Sequence, residues 1–392
     1  MPTGNRFAHQ TYSADRPKSP FEIMAVSSLP QFNSREYKKR MQAVGEILNS
    51  ANVGAIVLIH GTFVGEDPWG LSAMLFGRQP EWYRRCCRWQ KKLADRIMVD
   101  RGNFPSSYVT HLSRLLAAPD PFPASRFLWS SMNNHIGRAM AAVRLLSELN
   151  SLRLPAGKRV LLCGHSHGGN VLALLTNLLS PQQGGVTQFL DAVAGYARTF
   201  DAAWDQYANF VKEGPQFASS HPLDLVTLGT PIRYGFETSG YENLLHFVNH
   251  RPSKFQPDYR FAGSLSPGEM LTARHGDYIH QLGIAGSNFT TPFVRSLWRS
   301  DRQLADQLSA GIHCSSLLRR IALGMRVPEE GATLLIDYGL PGGRWWRSGM
   351  GHAEYTHTER MLFHFEQIVR RFYLPTRRNA TAAADSAAAT EL

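Results

Sequence analysis

The chain has 392 residues, enough to bury a large core, and length alone allows one large α/β domain or two smaller ones. Hydrophobic residues make up 43% and charged residues 19%, which excludes a collagen-like, coiled-coil or wholly disordered chain. The formal net charge of +11 comes from short, scattered Lys and Arg pairs, which predicts a solvated basic surface and no nucleic-acid partner; contact with acidic lipid headgroups stays open.

Both ends of the chain have the composition of tails around one domain. Residues 1–32 are polar and punctuated by prolines, and residues 376–392 are of low complexity, so we predict two disordered tails around a domain at 33–375. Neither a signal peptide nor a membrane-spanning stretch is recognisable, which predicts a cytoplasmic protein, with signal-less export left open. The four cysteines lack metal-ligand spacing, so we expect free thiols and no metal.

Between these ends, apolar runs alternate with helical patterns, which is typical of a mostly parallel sheet flanked by helices. The predicted strands are Ala55–Ile59, Arg126–Trp129, Arg159–Cys163, Leu223–Leu228, Leu244–Val248 and Thr333–Ile336. The predicted helices are Gly137–Leu149, Asn170–Leu179, about Asp301–Leu323, and Thr358–Phe372. Two aromatic-rich stretches, 64–125 and 233–300, follow strand ends and are predicted to form cap or lid insertions over the site.

The strongest chemical signal is VLLCGHSHGGN, at the end of the third predicted strand. A nucleophilic serine at a sharp strand-to-helix turn needs small neighbours, and Gly164 and Gly168 supply them around Ser166. An apolar strand before the turn and a helix after it favour Ser166 as a nucleophile over a mere helix cap. The sequence therefore predicts a nucleophile elbow at Ser166.

The second signal is Ile59-His60-Gly61-Thr62-Phe63, which follows the first predicted strand. A loop at this position can donate a backbone N–H to an oxyanion, and the residue after the nucleophile donates the second. The predicted oxyanion hole therefore consists of the amide of Thr62 or Phe63 and the amide of His167.

The segments IVLIHGTF, LLCGHSHGG and LVTLGTP resemble those of α/β-hydrolases of the lipase and esterase kind, in order over about residues 50–373. This resemblance implies the α/β-hydrolase fold, a Ser-His-acid catalytic triad and ester hydrolysis without a cofactor. His167 departs from the pattern, because such elbows more often carry Leu, Met or Gln at that position. The departure leaves the mechanism intact, because the side chain of His167 is not required to react.

The triad order of this class places the base late in the chain, after the last strand. His352 fits, because it lies in a glycine-rich loop before the closing helix, and His352-Ala-Glu-Tyr355 is similar to a segment of cutinases. His357 and His364 are weaker candidates, at the start of the helix and within it.

The sequence leaves the acid open. Asp277 is favoured by a small margin if Leu244–Val248 is the penultimate strand, with Asp258 as a weaker candidate on the same loop. Asp337 is the alternative, since it ends the last strand shortly before His352.

The expected function is cleavage of carboxylic esters, of lipids or small molecules, through an acyl-enzyme intermediate. Thioesterase and amidase activity would use the same groups, and acyl-chain preference and oligomeric state are not encoded in any pattern found. The alternative is a catalytically inactive protein of the same fold that binds a ligand, lipid or protein partner, because fold alone does not establish activity.

Overall fold

The computed structural model describes residues 11–13, 15–68, 72, 80–117, 120–180, 185–201, 203–214, 217–261, 266–285, 288, 295–308, 322–340 and 349–374. Its strands are β1 (Phe21–Ala25), β2 (Val53–Ile59), β3 (Ala124–Phe127), β4 (Arg159–His165), β5 (Leu223–Leu228), β6 (Asn243–Asn249) and β7 (Ala332–Asp337). Its helices are α1 (Arg35–Ser50), α2 (Pro80–Met98), α3 (Ser106–Leu115), α4 (His135–Ser151), α5 (His167–Leu179), α6 (Val186–Phe200), α7 (Trp204–Lys212), α8 (Phe217–Ser220), α9 (Pro267–Leu271), α10 (Tyr278–Ala285), α11 (Arg295–Leu308) and α12 (Met361–Phe372).

The described strands form one sheet in the order β1-β7-β6-β5-β4-β2-β3, and every pair within it is parallel. Parallel neighbours require crossover connections. α-Helices supply these except between β5 and β6, whose connection contains only the short 3₁₀ helix Thr238–Gly240. All carboxyl ends therefore lie at one edge, where the loops after β2, β4, β6 and β7 meet. The predicted α/β class with a parallel sheet is confirmed at this level.

Successive side chains of a strand point to opposite faces of the sheet, and this divides the core into two layers. Val160 and Leu162 of β4 point to a cluster that includes α4, α5, α6, α7 and α11, whereas Leu161 and Cys163 point to a cluster that includes α1, α3 and α12. Both faces of the sheet are thus covered, which is why the strands are nearly continuous apolar runs in the sequence.

The structure corrects the predicted N-terminal tail at 1–32. Residues Phe21–Ala25 form β1, which pairs in register with β7 from Phe21 beside Thr333 to Ala25 beside Asp337. Two residues of this edge strand are half-buried and three are exposed. Four of the five are apolar, but the run is short and lies among prolines and polar residues, which is why it was assigned to the tail. Residues 1–10 and the predicted tail at 376–392 lie outside the described residues.

The predicted cap insertions are also narrower than expected. Within 64–125, α3 packs on α1 and β3 and contributes Tyr108 and Leu112 to the core, so it belongs to the helical layer. Within 233–300, β6 is a central strand and α11 packs on α6 and α4. These elements therefore belong to the sheet and its helical layers. The cap aromatics Trp69 and Phe76 lie outside the described residues.

The remaining predicted elements agree with the structure apart from their ends. The second strand is Ala124–Phe127 rather than Arg126–Trp129, and the helix predicted at about 301–323 is described as Arg295–Leu308. The described cysteines, Cys86, Cys87 and Cys163, are free thiols, and Cys314 lies outside the described residues. Among the helices of the described chain, none has the length and apolar character needed to cross a membrane.

Candidate active site

Ser166 occupies a strained turn between β4 and α5. Its φ of 52° and ψ of −130° lie in a region that residues with a side chain seldom adopt. The turn is held on the neighbouring strand, because the amide of Ser166 donates to the carbonyl of Leu228 at 2.9 Å. Such strain persists only where the surroundings impose it, and it concentrates at functional sites.

The glycines around Ser166 are required by close backbone approach. A Cβ on Gly164 would lie 2.7 Å from the backbone of Gly168, and one on Gly168 would lie 2.6 Å from the carbonyl oxygen of Ile59. A Cβ on Gly169 would lie 2.1 Å from Oγ1 of Thr230. These contacts are shorter than real Cβ contacts, so each glycine allows α5 to begin directly against the sheet.

The loop after β2 lies against this turn. A Cβ on Gly61 would be 2.8 Å from Cβ of Ser166, which places the loop beside the serine. The amide of Phe63 donates to the carbonyl of Ser131 at 3.3 Å and is therefore already engaged. The amides of Thr62 and His167 donate to no such acceptor within the described chain. Of the predicted pair, Thr62 is thus the better donor on this loop.

His60 fixes the shape of the same loop. Its Nδ1 donates to the carbonyl of Gly61 at 2.9 Å, and its Nε2 accepts from the amide of Trp129 at 3.4 Å. The rings of His60 and Trp129 stack with their centroids 5.9 Å apart, and Nε1 of Trp129 donates to the carbonyl of His60. Burial lowers the pKa of His60 to about 3, and Lys91 adds to the effect, so this histidine is neutral.

His352 and Asp277 form a buried hydrogen-bonded pair. Nδ1 of His352 lies 2.7 Å from Oδ2 of Asp277, and their side chains are 13% and 0% exposed. Nδ1 carries the proton in this contact, so Nε2 of the neutral ring is left as an acceptor. Within the described chain, Nε2 of His352 has no hydrogen-bond partner.

This pair lies next to the serine turn. Nε2 of His165, the residue before Ser166, donates to the carbonyl of His352 at 3.1 Å, and the two rings lie 4.8 Å apart. Burial, with a smaller contribution from the neighbouring His352, lowers the pKa of His165 to about 3, so His165 is a neutral donor. It thereby links the loop of His352 to the turn of Ser166.

Asp277 is held as a carboxylate by donors on both oxygens. Oδ1 accepts from the amide of His280 at 2.8 Å, and Oδ2 accepts from the hydroxyl of Tyr355 at 2.9 Å as well as from His352. Burial alone would raise the pKa of Asp277, but His352 and then His280 outweigh it and lower the pKa to about 2.

Asn249, at the end of β6, connects the loop that carries Asp277 with the loop that carries His352. Its carbonyl accepts from the amide of Asp277 at 2.9 Å, and its Nδ2 donates to the carbonyl of Gly351 at 2.9 Å. Its own amide donates to the hydroxyl of Tyr355 at 2.7 Å. One residue thus fixes the backbone on both sides of the Asp277–His352 pair.

The alternative acids are engaged elsewhere. Oδ1 of Asp337 accepts from Nε of Arg251 at 2.6 Å and from the amide of Gly339 at 2.8 Å. Asp258 makes no contact with His352 among the described residues; its backbone carbonyl accepts from Nε2 of His250 at 2.6 Å. Of the three candidate aspartates, the structure brings Asp277 to His352.

The competing histidines also have other partners. His357 forms an ion pair with Asp100 at 3.4 Å, whereas Nε2 of the buried His364 lies 2.7 Å from the hydroxyl of Tyr338. Burial would lower the pKa of His357, but Asp100 reverses the effect and raises it. Both histidines hold α12 and the segment before it in place.

Two arginines create a positive field beside His167. Nη1 of Arg138 lies 3.5 Å from Nδ1 of His167, and Arg138 and Arg233 both donate to the side-chain oxygen of Asn288, at 2.6 and 3.0 Å. Burial lowers the pKa of His167 well below its usual value, and Arg138 and then Arg233 lower it further. His167 is therefore neutral, and the guanidinium of Arg138 lies beside its side chain.

These arginines could not be found from sequence, because their relation to His167 exists only after folding. Asn249 gave no signal either. Tyr355 did, since it belongs to the His-x-x-Tyr segment that carried the cutinase resemblance.

A cavity of about 560 Å³ lies behind the loop after β2. Neither Ser166 nor His352 is among the residues that line it. Its walls include Glu66, Asp67 and Trp129, together with residues of α2, α4 and α6. The described residues contain no group of three or more His, Cys, Asp or Glu side chains placed to hold a metal ion.

No protein-family model matches the chain, and neither a curated protein nor a solved structure was found to match it. The arguments on function therefore depend on the geometry of this site.

Proposed function

We propose that the protein is a serine hydrolase of the α/β-hydrolase fold that cleaves carboxylic esters, with Ser166, His352 and Asp277 as the triad. The observation that carries the proposal is the strained turn of Ser166, at φ 52°, directly between a buried strand and a helix. A helix cap does not need this conformation, whereas an exposed nucleophile at the carboxyl edge of a sheet does.

The order of elements supports the same proposal. The serine follows β4, the acid follows β6 and the histidine follows β7, as in the nucleophile-acid-histidine order of this class. Between the acid and the base, the 2.7 Å contact fixes the tautomer in which Nε2 of His352 accepts a proton.

In the proposed reaction, Oγ of Ser166 attacks the ester carbonyl while Nε2 of His352 takes its proton. Asp277 stabilises the imidazolium that forms, and the amides of Thr62 and His167 donate to the oxyanion. His352 then protonates the leaving alcohol, which departs as the acyl-enzyme forms. Water attacks that acyl group and gives its proton to His352, which returns a proton to Oγ of Ser166 as the carboxylic acid is released.

The positive field of Arg138 and Arg233 supports this assignment of the oxyanion site. The guanidinium of Arg138 lies 3.5 Å from the side chain of His167, whose amide would face the developing negative charge, and Arg233 shares its contact with Asn288. Fixed charges act strongly in a buried site.

A p-nitrophenyl ester series with short to long acyl chains, combined with a fluorophosphonate probe, tests the proposal. The wild type should turn over an ester and be labelled on Ser166, whereas Ser166→Ala and His352→Ala should lower kcat by about 10⁴-fold or more. His111→Ala, on α3 and packed against Phe32, serves as a matched control that keeps activity.

Absence of both turnover and labelling would contradict the proposal. It would favour a catalytically inactive protein that uses the same fold to bind a ligand, lipid or partner.

A further inference from the structure

Helix α2 exposes a continuous apolar stripe. Trp82, Trp89, Leu93 and Ile97 are 58%, 63%, 40% and 61% exposed, and their spacing of seven, four and four residues places them on one face. Monomeric proteins rarely expose an apolar surface of this extent without a use for it.

The opposite face of α2 is anchored in the protein. Cys87 and Lys91 are buried, and Nζ of Lys91 donates to Oδ1 of Asp95 and, at 3.0 Å, to Asn103. Asp95 also accepts from Arg126 of β3 at 2.9 Å. The helix is therefore attached by its polar contacts, and its apolar stripe is left facing outward.

Positive charge accompanies the stripe. The exposed cations of α2 are Arg84, Arg85, Arg88, Lys92 and Arg96, and Glu81 is the exposed acid. At the angular spacing of an α-helix, Arg85, Lys92 and Arg96 run along one flank of the stripe. The guanidinium of Arg85 lies 5.6 Å from the ring of Trp82, so cation and aromatic ring form one surface.

This combination fits a membrane better than a protein. Tryptophan prefers the boundary between headgroups and acyl chains, and rows of Lys and Arg are attracted to anionic lipids. A protein partner usually presents mixed charges, whereas an anionic bilayer presents a uniformly negative surface to a row of cations.

We infer that α2 docks the protein on membranes that contain anionic phospholipids, with Trp82, Trp89, Leu93 and Ile97 in the interface. Arg85, Lys92 and Arg96 then contact the headgroups. Docking itself does not depend on catalysis; only its use, to bring a lipid ester to Ser166, rests on the proposed function. The helix is suitably placed, because its Asp95 contacts Arg126 of β3, the strand that pairs with β2 and so lies near the loop beside Ser166.

Sedimentation with vesicles tests the inference on the full chain. Vesicles of phosphatidylcholine alone are compared with vesicles that also contain phosphatidylserine, using the Ser166→Ala protein so that no lipid is cleaved. We expect binding to the anionic vesicles to be at least about tenfold tighter and to weaken as salt is added.

Two variants and two matched controls locate the surface. Trp82→Ala with Trp89→Ala, and Arg85→Gln with Lys92→Gln and Arg96→Gln, should each weaken binding by about tenfold or more. Trp298→Ala removes a Trp that is 48% exposed on α11, and Arg198→Gln removes an exposed cation of α6; both should bind normally. All substituted side chains are exposed, so folding is preserved.

Two results would overturn the inference: no binding of the parent protein to anionic vesicles, or binding that the tryptophan pair does not affect. Either would direct the α2 face to a protein partner instead. Because vesicle binding is measured without turnover, these results remain separate from failure of the ester assay.

Discussion

Gly276 and Gly351 lie in backbone contact, one residue before Asp277 and one residue before His352. A Cβ on Gly351 would lie 2.3 Å from the carbonyl oxygen of Gly276, and a Cβ on Gly276 would lie 2.2 Å from that of Asn249. The φ values, 97° for Gly276 and 88° for Gly351, are also those that glycine adopts without strain. The backbone segments that carry Asp277 and His352 are thus brought together by the two glycines that precede them.

Replacing Gly351 by Ala should separate the pair. We expect Gly351→Ala to lower the free energy of unfolding by several kcal/mol and kcat by about 100-fold, because a backbone clash adds to the strain of a positive φ. Gly157→Ala is the control: its φ is 80°, but nothing lies within 4 Å of the added Cβ, so we expect a loss of about 1 kcal/mol and normal kcat. Urea unfolding and ester turnover measure both, and equal effects of the two variants would refute this account.

Asp277 and Asp337 should differ sharply when each is changed to Asn. Asp277→Asn leaves Nδ1 of His352 without its carboxylate, so we expect kcat to fall by about 10³- to 10⁴-fold with binding of the ester retained. Asp337→Asn removes a partly exposed ion pair with Arg251, which should cost about 1 kcal/mol or less and leave kcat within about threefold. The reverse ranking of the two kcat values would make Asp337 the acid.

Tyr355→Phe tests the support of the acid. Its hydroxyl donates to Asp277 and accepts from the buried amide of Asn249, so its removal should cost about 1–3 kcal/mol of stability and reduce kcat by about tenfold. Tyr338→Phe is a matched control, since it removes a buried hydroxyl that contacts His364. It should lose stability but keep kcat; a similar loss of kcat in both variants would point to general loosening of the fold.

The protein should become less stable in mild acid. Burial is the main cause of the lowered pKa values of six histidines: His60, His165, His250, His280 and His364 at about 3 and His246 at about 4. These rings stay neutral in the fold but take up protons in the unfolded chain below about pH 6.5. Stability is therefore fully present above that pH and falls below it, by up to about 1.4 kcal/mol per pH unit for each histidine.

Urea unfolding at about pH 7.5, 6.5 and 5.5 measures this dependence. Asp277 acts in a different window: because its pKa is lowered to about 2, its contribution is present above about pH 4 and is lost as the pH falls towards 2. A flat stability profile between about pH 6.5 and 5.5 would contradict the assignment of neutral buried histidines.

The central sheet was predictable because its strands are buried on both faces and therefore appear as apolar runs. Ser166 was predictable for a local reason too, since the glycines that its turn requires are its sequence neighbours. The acid was not, because the choice between Asp277 and Asp337 depends on Asn249 and on the contact of Gly276 with Gly351, which are distant in sequence. The edge strand β1 was missed because its five residues form only a short run among prolines and polar residues, and its partner, β7, is distant in sequence.

That edge strand also affects the order in which the protein is assembled. Phe21 leaves the ribosome long before its pairing partner, Thr333, which lies 312 residues further along the chain (333 − 21). Until β7 emerges, β1 has no strand to pair with, and the sheet grows from β2 and β4 instead. Long-range pairing of this kind is slow, so the nascent chain exposes the β1 segment unpaired until β7 has been made.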